Sequence, residues 1–209
     1  MNVTIIPVGM IGTNCYMLAS QENSCVIIDP GAQPEKLASI LGQKGYTLKY
    51  ILLTHGHWDH TLAAKALLEI YPDAECYIGK NDKELLTDRE KCSMLMPGID
   101  WNDLYMPDAK ELEDGQELEL DELKIKVMAT PGHSLGSVCY ICGQAIFSGD
   151  TLFMESVGRC DLYGGDFDAL RKSLDKICAL PGDFAVYPGH GEATTLDYER
   201  KHNYYIINR

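Results

Sequence analysis

Residues 54–60 read Thr54-His55-Gly56-His57-Trp58-Asp59-His60, which places three of the chain's six histidines and a carboxylate in one short stretch. Core packing does not call for imidazole at this density, and neither does a solvated surface. Imidazole suits zinc, iron, copper and nickel, and carboxylate is a harder companion ligand. An apolar run over 50–53 precedes the stretch and reads as a buried strand, and residues 62–70 after it read as a helix. The ligand-type side chains therefore fall on a strand-to-helix loop, the usual place for a site.

The same arrangement recurs three times. His133 lies in Thr130-Pro131-Gly132-His133-Ser134, Asp150 in Phe147-Ser148-Gly149-Asp150-Thr151, and His190 in Tyr187-Pro188-Gly189-His190-Gly191. Each follows an apolar run that ends in small or turn-forming residues, so a strand delivers each ligand at its end. Five of the six histidines belong to this pattern, and His202 reads as a surface residue. His55 and His57 are two apart and share a side of extended backbone. Seven ligands are too many for one tetrahedral zinc, which takes four, so two metals are expected.

Composition narrows the class. A chain of 209 residues is read as one domain spanning 1–209, large enough to bury about 70% of its unfolded surface. Its formal net charge is −13 with no basic cluster, which disfavours nucleic acid as a partner. No window reaches the 18 or more apolar residues of a membrane span, and residues 1–6 lack a basic signal-like region, so a cytoplasmic location is the default expectation. The eight cysteines sit mostly inside apolar runs, which argues against a disulfide framework. Cys139 and Cys142 match C-x-x-C, but three positions along a strand put them on opposite faces.

The element pattern is mixed. Strands are expected over 2–8, 14–19, 24–28, 49–53, 75–78, 118–120, 124–128, 137–141, 145–147 and 184–187. Helices are expected over 34–41, 62–70, 82–88, 166–178 and 195–205, with an irregular segment over 91–112. By itself this alternation gives only a mixed α/β class.

The H-x-H-x-D-H block, the later His133, the Gly149-Asp150 pair and the final Gly189-His190-Gly191 resemble the metallo-β-lactamase superfamily, and within it the small glyoxalase II-like (hydroxyacylglutathione hydrolase-like) thioester hydrolases. Thr13-Asn14-Cys15-Tyr16, Ile28-Asp29-Pro30-Gly31, Gly158-Arg159-x-Asp161 and Gly191-x-x-Thr194-Thr195 match as well. The resemblance implies an αββα sandwich of two mixed sheets with helices outside. It implies a first metal on His55, His57 and His133, a second on Asp59, His60 and His190, and Asp150 as the bridge. Zinc is the expected ion, with iron or manganese accepted by the same donors. The implied reaction is hydrolysis of a small thioester by a hydroxide shared between the metals, with Asp59 orienting it. Thiolate is a good leaving group, which suits a site with no obvious general acid. Asp29 is implied to hold a ligating histidine by its other ring N–H. Arg159 matches a basic residue that binds the thiol carrier, and Tyr163 is a loop aromatic placed to line the pocket.

The chain departs from full-length glyoxalase II in two ways. The sequence reaches Arg209 soon after the last ligand, so the helical extension that binds glutathione in those enzymes is expected to be missing, and Asp161 stands where they have a tyrosine. A thiol carrier other than glutathione is therefore an open expectation, and the methionine-bearing segment 92–106 is a candidate lid. A mononuclear-iron persulfide (sulfur) dioxygenase is the alternative reading, and lactonase or β-lactamase activity a further hydrolase option. A non-catalytic binding module is disfavoured because all seven ligand positions are intact. Oligomeric state is not legible.

Overall fold

The computed structural model describes residues 2–92 and 98–208. The first sheet runs β1 (Asn2–Val8), β2 (Thr13–Ala19), β3 (Ser24–Ile28), β4 (Thr47–Leu53), β5 (Glu75–Gly79) and β6 (Lys110–Leu112), in that spatial order. Its first three strands are antiparallel and its last four parallel, with β3 common to both sets. Between them lie α1 (Pro34–Lys44), α2 (Trp58–Thr61), α3 (Ala64–Ile70), a 3₁₀ helix (Lys80–Leu86) and α4 (Trp101–Leu104). The second sheet contains β7 (Glu117–Leu120), β8 (Leu123–Ala129), β9 (Val138–Cys142), β10 (Ala145–Gly149), then β13 (Ala185–Pro188) and β14 (Thr194–Thr195). A hairpin of β11 (Leu152–Phe153) and β12 (Ser156–Val157), and α5 (Phe167–Cys178), intervene before β13. Helices α6 (Leu196–His202) and α7 (Tyr204–Ile207) follow.

Side-chain alternation divides the interior into three layers. Leu52, Val26, Ile28 and Leu18 meet Val127, Val138, Tyr140 and Phe147 between the sheets. Ile51, Leu53, Ile27 and Met17 face the other way, under Leu37 and Leu41 of α1 and Leu67 of α3. Ile146, Ile141 and Val186 lie beneath Leu174 and Ile177 of α5 and Leu196 of α6. Strands covered on both faces read as unbroken apolar runs, which is why β2 and β3 are buried at every position. This is the expected αββα sandwich. Cys139 and Cys142 belong to different layers, as their spacing predicts. Among the described residues no helix is long and apolar enough to cross a membrane.

Four expectations need correction. The helix expected over 62–70 begins only at Ala64 and is preceded by the separate α2, because the Ala63 N–H bonds the Pro30 carbonyl (2.9 Å) instead of continuing α2. The helix over 195–205 breaks at Asn203, whose extended backbone lets its side chain cap α7 through the Tyr205 N–H. The helix expected over 82–88 is a 3₁₀ helix, running from Lys80 to Leu86. The irregular segment contains α4, capped by Asp100, and β6, while the lid reading falls partly on 93–97, outside the described residues.

Candidate metal centre

The parallel strands β3 and β4, with β8, β10 and β13, end toward one rim, and the ligand-type residues leave from there. The loop between β4 and α2 carries His55 and His57, and the short α2 carries Asp59 and His60. The β8–β9 loop carries His133, and the residues after β10 and β13 supply Asp150 and His190.

These side chains converge. His133 Nε2 lies 2.9 Å from His57 Nδ1 and 3.2 Å from His55 Nε2. His60 Nε2 lies 3.3 Å from His190 Nε2, and each is 3.2 Å from Asp59 Oδ2. Three groups of ligand atoms fall within 4.8 Å of one another: His55, His57 and His133; Asp59, His60 and His190; and His55, His60 and Asp150. Asp150 lies between the first two, its Oδ1 3.4 Å from His60 Nε2 and its Oδ2 3.7 Å from both His133 Nε2 and His190 Nε2.

The far side of three of the rings, His55, His60 and His133, fixes the tautomer. Asp29 Oδ2 accepts from His60 Nδ1 (2.9 Å) and from the Thr54 hydroxyl (2.6 Å). Thr54 Oγ1, having given its proton to Asp29, accepts from His55 Nδ1 (3.1 Å). His133 Nδ1 donates to the Arg159 carbonyl (2.8 Å). These bonds leave the Nε2 lone pairs of His55, His60 and His133 turned inward. Asp29 adopts a left-handed backbone (φ 52°), which Asp tolerates better than most residues, and its Oδ1 accepts the Thr54 N–H (2.8 Å).

Charge at the site suits cations. Burial, then the neighbouring His133 and His60, pushes His57 down to about 3. Burial and the adjacent histidines also hold His55 well below the ordinary imidazole range. Both rings are therefore neutral at physiological pH, the form in which imidazole can give a lone pair to a cation. Burial opposes ionisation of Asp59, yet His60 and the bonds from His190 and His60 outweigh it and hold the carboxyl far below its usual range. Lone pairs this close repel unless a cation or shared proton lies between them. Asp150 Oδ1 is buried and has no hydrogen-bond partner, as an oxygen awaiting a cation would be. The donor set fits a pair of divalent ions, by the chemistry of its nitrogen and oxygen atoms.

Two residues named for substrate contact have protein partners. Arg159 forms a bidentate pair with Asp161 (2.6 and 2.7 Å) and is half exposed. The Tyr163 hydroxyl donates to Glu84 Oε1 (2.9 Å) on the 3₁₀ helix. Sequence reasoning missed Thr13, whose hydroxyl donates to Asp59 Oδ2 (3.0 Å), and the clamp made by Asn14. The Asn14 side chain donates to the carbonyls of Pro188 and Gly191, on either side of His190, and its N–H bonds Gly189. Both lie in the Thr13-Asn14-Cys15-Tyr16 stretch, where the resemblance marked positions but no roles.

A family model described as the metallo-β-lactamase superfamily matches residues 8–190. The chain belongs to the metallo-β-lactamase superfamily. Among its relatives, hydroxyacylglutathione hydrolase GloC of Haemophilus influenzae is 32% identical over 212 residues, covering 100% of both chains. The crystal structure of BLEG-1 B3 metallo-β-lactamase superposes with a TM-score of 0.87 at 34% identity, over 98% of this chain and 99% of that one. That of TTHA1623 in a di-iron-bound form superposes with a TM-score of 0.81 at 36% identity, over 97% and 100%. With such relatives, this superfamily member is a metal-dependent hydrolase.

Within this metallo-β-lactamase frame, Asp29 is expected to act through His60. Asp29→Asn keeps the shape but turns an N–H₂ toward either the Thr54 N–H or the His60 ring. Metal affinity at the Asp59–His60–His190 group is expected to fall about 10–100-fold. Chelator competition measures it, and an unchanged affinity would remove Asp29 from the metal argument.

Proposed function

We propose that the protein hydrolyses small thioesters of the 2-hydroxyacyl class, with S-lactoylglutathione the first to test, using two divalent cations, expected to be zinc, with iron or manganese as substitutes. The observation that carries this reading is the pair of three-donor groups with Asp150 between them. The GloC relative supports the thioester, and the di-iron form of TTHA1623 supports two metals.

When bound, such cations supply water of lowered pKa as nucleophile and a Lewis acid for the carbonyl oxygen. His55, His57 and His133 would hold one cation, and Asp59, His60 and His190 the other. Thr13 fixes the Asp59 carboxylate, which would orient the nucleophile. Asp29, Thr54 and the Arg159 carbonyl keep the rings in the ligating tautomer. No acid is required for the leaving group, since a thiolate departs unprotonated. A lactam amine needs a proton on leaving, and the two named polar neighbours, Arg159 and Tyr163, are engaged by Asp161 and Glu84.

The test combines metal analysis with a panel of 2-hydroxyacyl thioesters, lactones and β-lactams. The thioester is expected to give the highest kcat/KM. No thioester turnover with both cations bound would defeat the reading. One iron per chain with oxygen uptake on a persulfide would replace it with the dioxygenase.

Arg159 is proposed to contact the thiol carrier. Its pairing with Asp161 mutes its charge, so Arg159→Ala is expected to raise KM only several-fold, less than about tenfold, and to leave kcat near its original value. Steady-state kinetics separate the two. A collapse in kcat at constant KM would place Arg159 in the support of His133 instead.

A further inference from the structure

Asp82 is buried on the 3₁₀ helix and belongs to none of the donor groups. Its Oδ2 accepts the Gly56 N–H (3.0 Å) and the Ser134 hydroxyl (2.6 Å), and its Oδ1 accepts the Gly136 N–H (2.5 Å). Gly56 stands between His55 and His57, and Ser134 follows His133. One carboxylate thus ties the loop after β4 to the loop after β8, which come from different sheets. The approach is close. A Cβ on Gly136 would stand 2.2 Å from the Asp82 nitrogen, and one on Gly56 would stand 2.5 Å from Leu85 Cβ and 3.1 Å from the Asp82 carbonyl oxygen. Burial pushes the Asp82 carboxyl up while its three donors favour the ionised form, so an acid here is costly for packing alone.

We propose that Asp82 is a positioning residue that sets the spacing of His57 against His133, and so the affinity of the three-histidine group for its cation. The proposal rests on the metal-centre reading above. His57 Nδ1 and His133 Nε2 are 2.9 Å apart and hang from the two loops that Asp82 joins. Two of its three donors are backbone N–H groups, which cannot reverse. An asparagine accepts from one of them and opposes the other with its own N–H₂.

Asp82→Asn and Ser134→Ala are compared with the unaltered protein by cobalt(II) titration under chelator competition. Stoichiometry and visible absorption report the two positions, alongside kcat, KM and unfolding of the metal-free protein. The unaltered protein is expected to bind two ions. Asp82→Asn is expected to bind the Asp59–His60–His190 ion normally and the three-histidine ion about 10–100-fold more weakly, with kcat lowered and KM retained. Ser134→Ala, which keeps both backbone bonds, is expected to show a smaller loss at the same position. Three-histidine affinity within about twofold of the original in folded Asp82→Asn overturns the proposal. So does equal weakening at both positions, or lowered stability with affinities intact. If Asp82→Asn does not fold, an unchanged affinity in Ser134→Ala overturns it. An unaltered protein that binds no ion defeats the metal-centre reading itself, and is told apart from these results by that control.

Discussion

Asp150→Ala is expected to release metal from both donor groups and to lower kcat/KM by at least about a hundredfold, equivalent to about 3 kcal/mol of lost charge stabilisation. The expectation follows from position. Asp150 Oδ1 approaches His60, and Oδ2 is equidistant, at 3.7 Å, from His133 and His190. Without the carboxylate each group retains three side chains but loses the negative charge shared between two cations. His190→Ala is the informative partner, since it removes a donor from the Asp59–His60 side only. It is expected to empty that side and leave the three-histidine group loaded. Elemental analysis after dialysis distinguishes the two patterns. Full metal content with normal turnover in Asp150→Ala would refute the bridging role.

Gly31→Ala is expected to be nearly as damaging, although Gly31 is no ligand. A Cβ at this position would stand 1.5 Å from the Asp59 carbonyl oxygen and 2.6 Å from its carbon. The obstacle is backbone, so no side-chain rotation relieves it, and α2 must move away with Asp59 and His60 on it. Ordinary overpacking costs about 1–3 kcal/mol, and this contact belongs at or above the top of that range. The expected results are a fall in unfolding free energy of at least about 2 kcal/mol and loss of the ion held by Asp59, His60 and His190. Gly42→Ala is the control. It lies in α1 with nothing within 4 Å of its Cβ position, and is expected to stabilise by about 0.5–1 kcal/mol. Denaturant unfolding of both variants makes the comparison. A Gly31→Ala protein as stable and as well metallated as the parent would show that the turn yields more easily than its geometry implies.

The readable and the hidden parts of this molecule differ in kind. The strand ends and the seven donor positions that the structure brings together were legible because apolar runs mark strands and imidazole at a run's end has few other uses. The break between α2 and α3 was not, because it depends on a hydrogen bond from Ala63 to Pro30, which lies on another loop. The β11–β12 hairpin has two residues per strand, too few for any periodicity. Asp82 reads along the chain as one more acid at the start of a short polar helix. Its meaning depends on two glycine N–H groups, which leave no trace in side-chain pattern. Asp29 was marked by resemblance, but its simultaneous grip on Thr54 and His60 appears only in three dimensions.

Neither half of the chain carries a complete donor set. His55, His57, Asp59 and His60 hang from the first sheet, and His133, Asp150 and His190 from the second. As the polypeptide is synthesised, residues through β6 emerge with four donors and no complement, and the rest arrive only with the second sheet. A cation would therefore meet a complete donor set only once the two sheets have docked across Leu52, Tyr140 and Phe147. A substitution deep in the interlayer, far from any histidine, is therefore expected to alter metal retention.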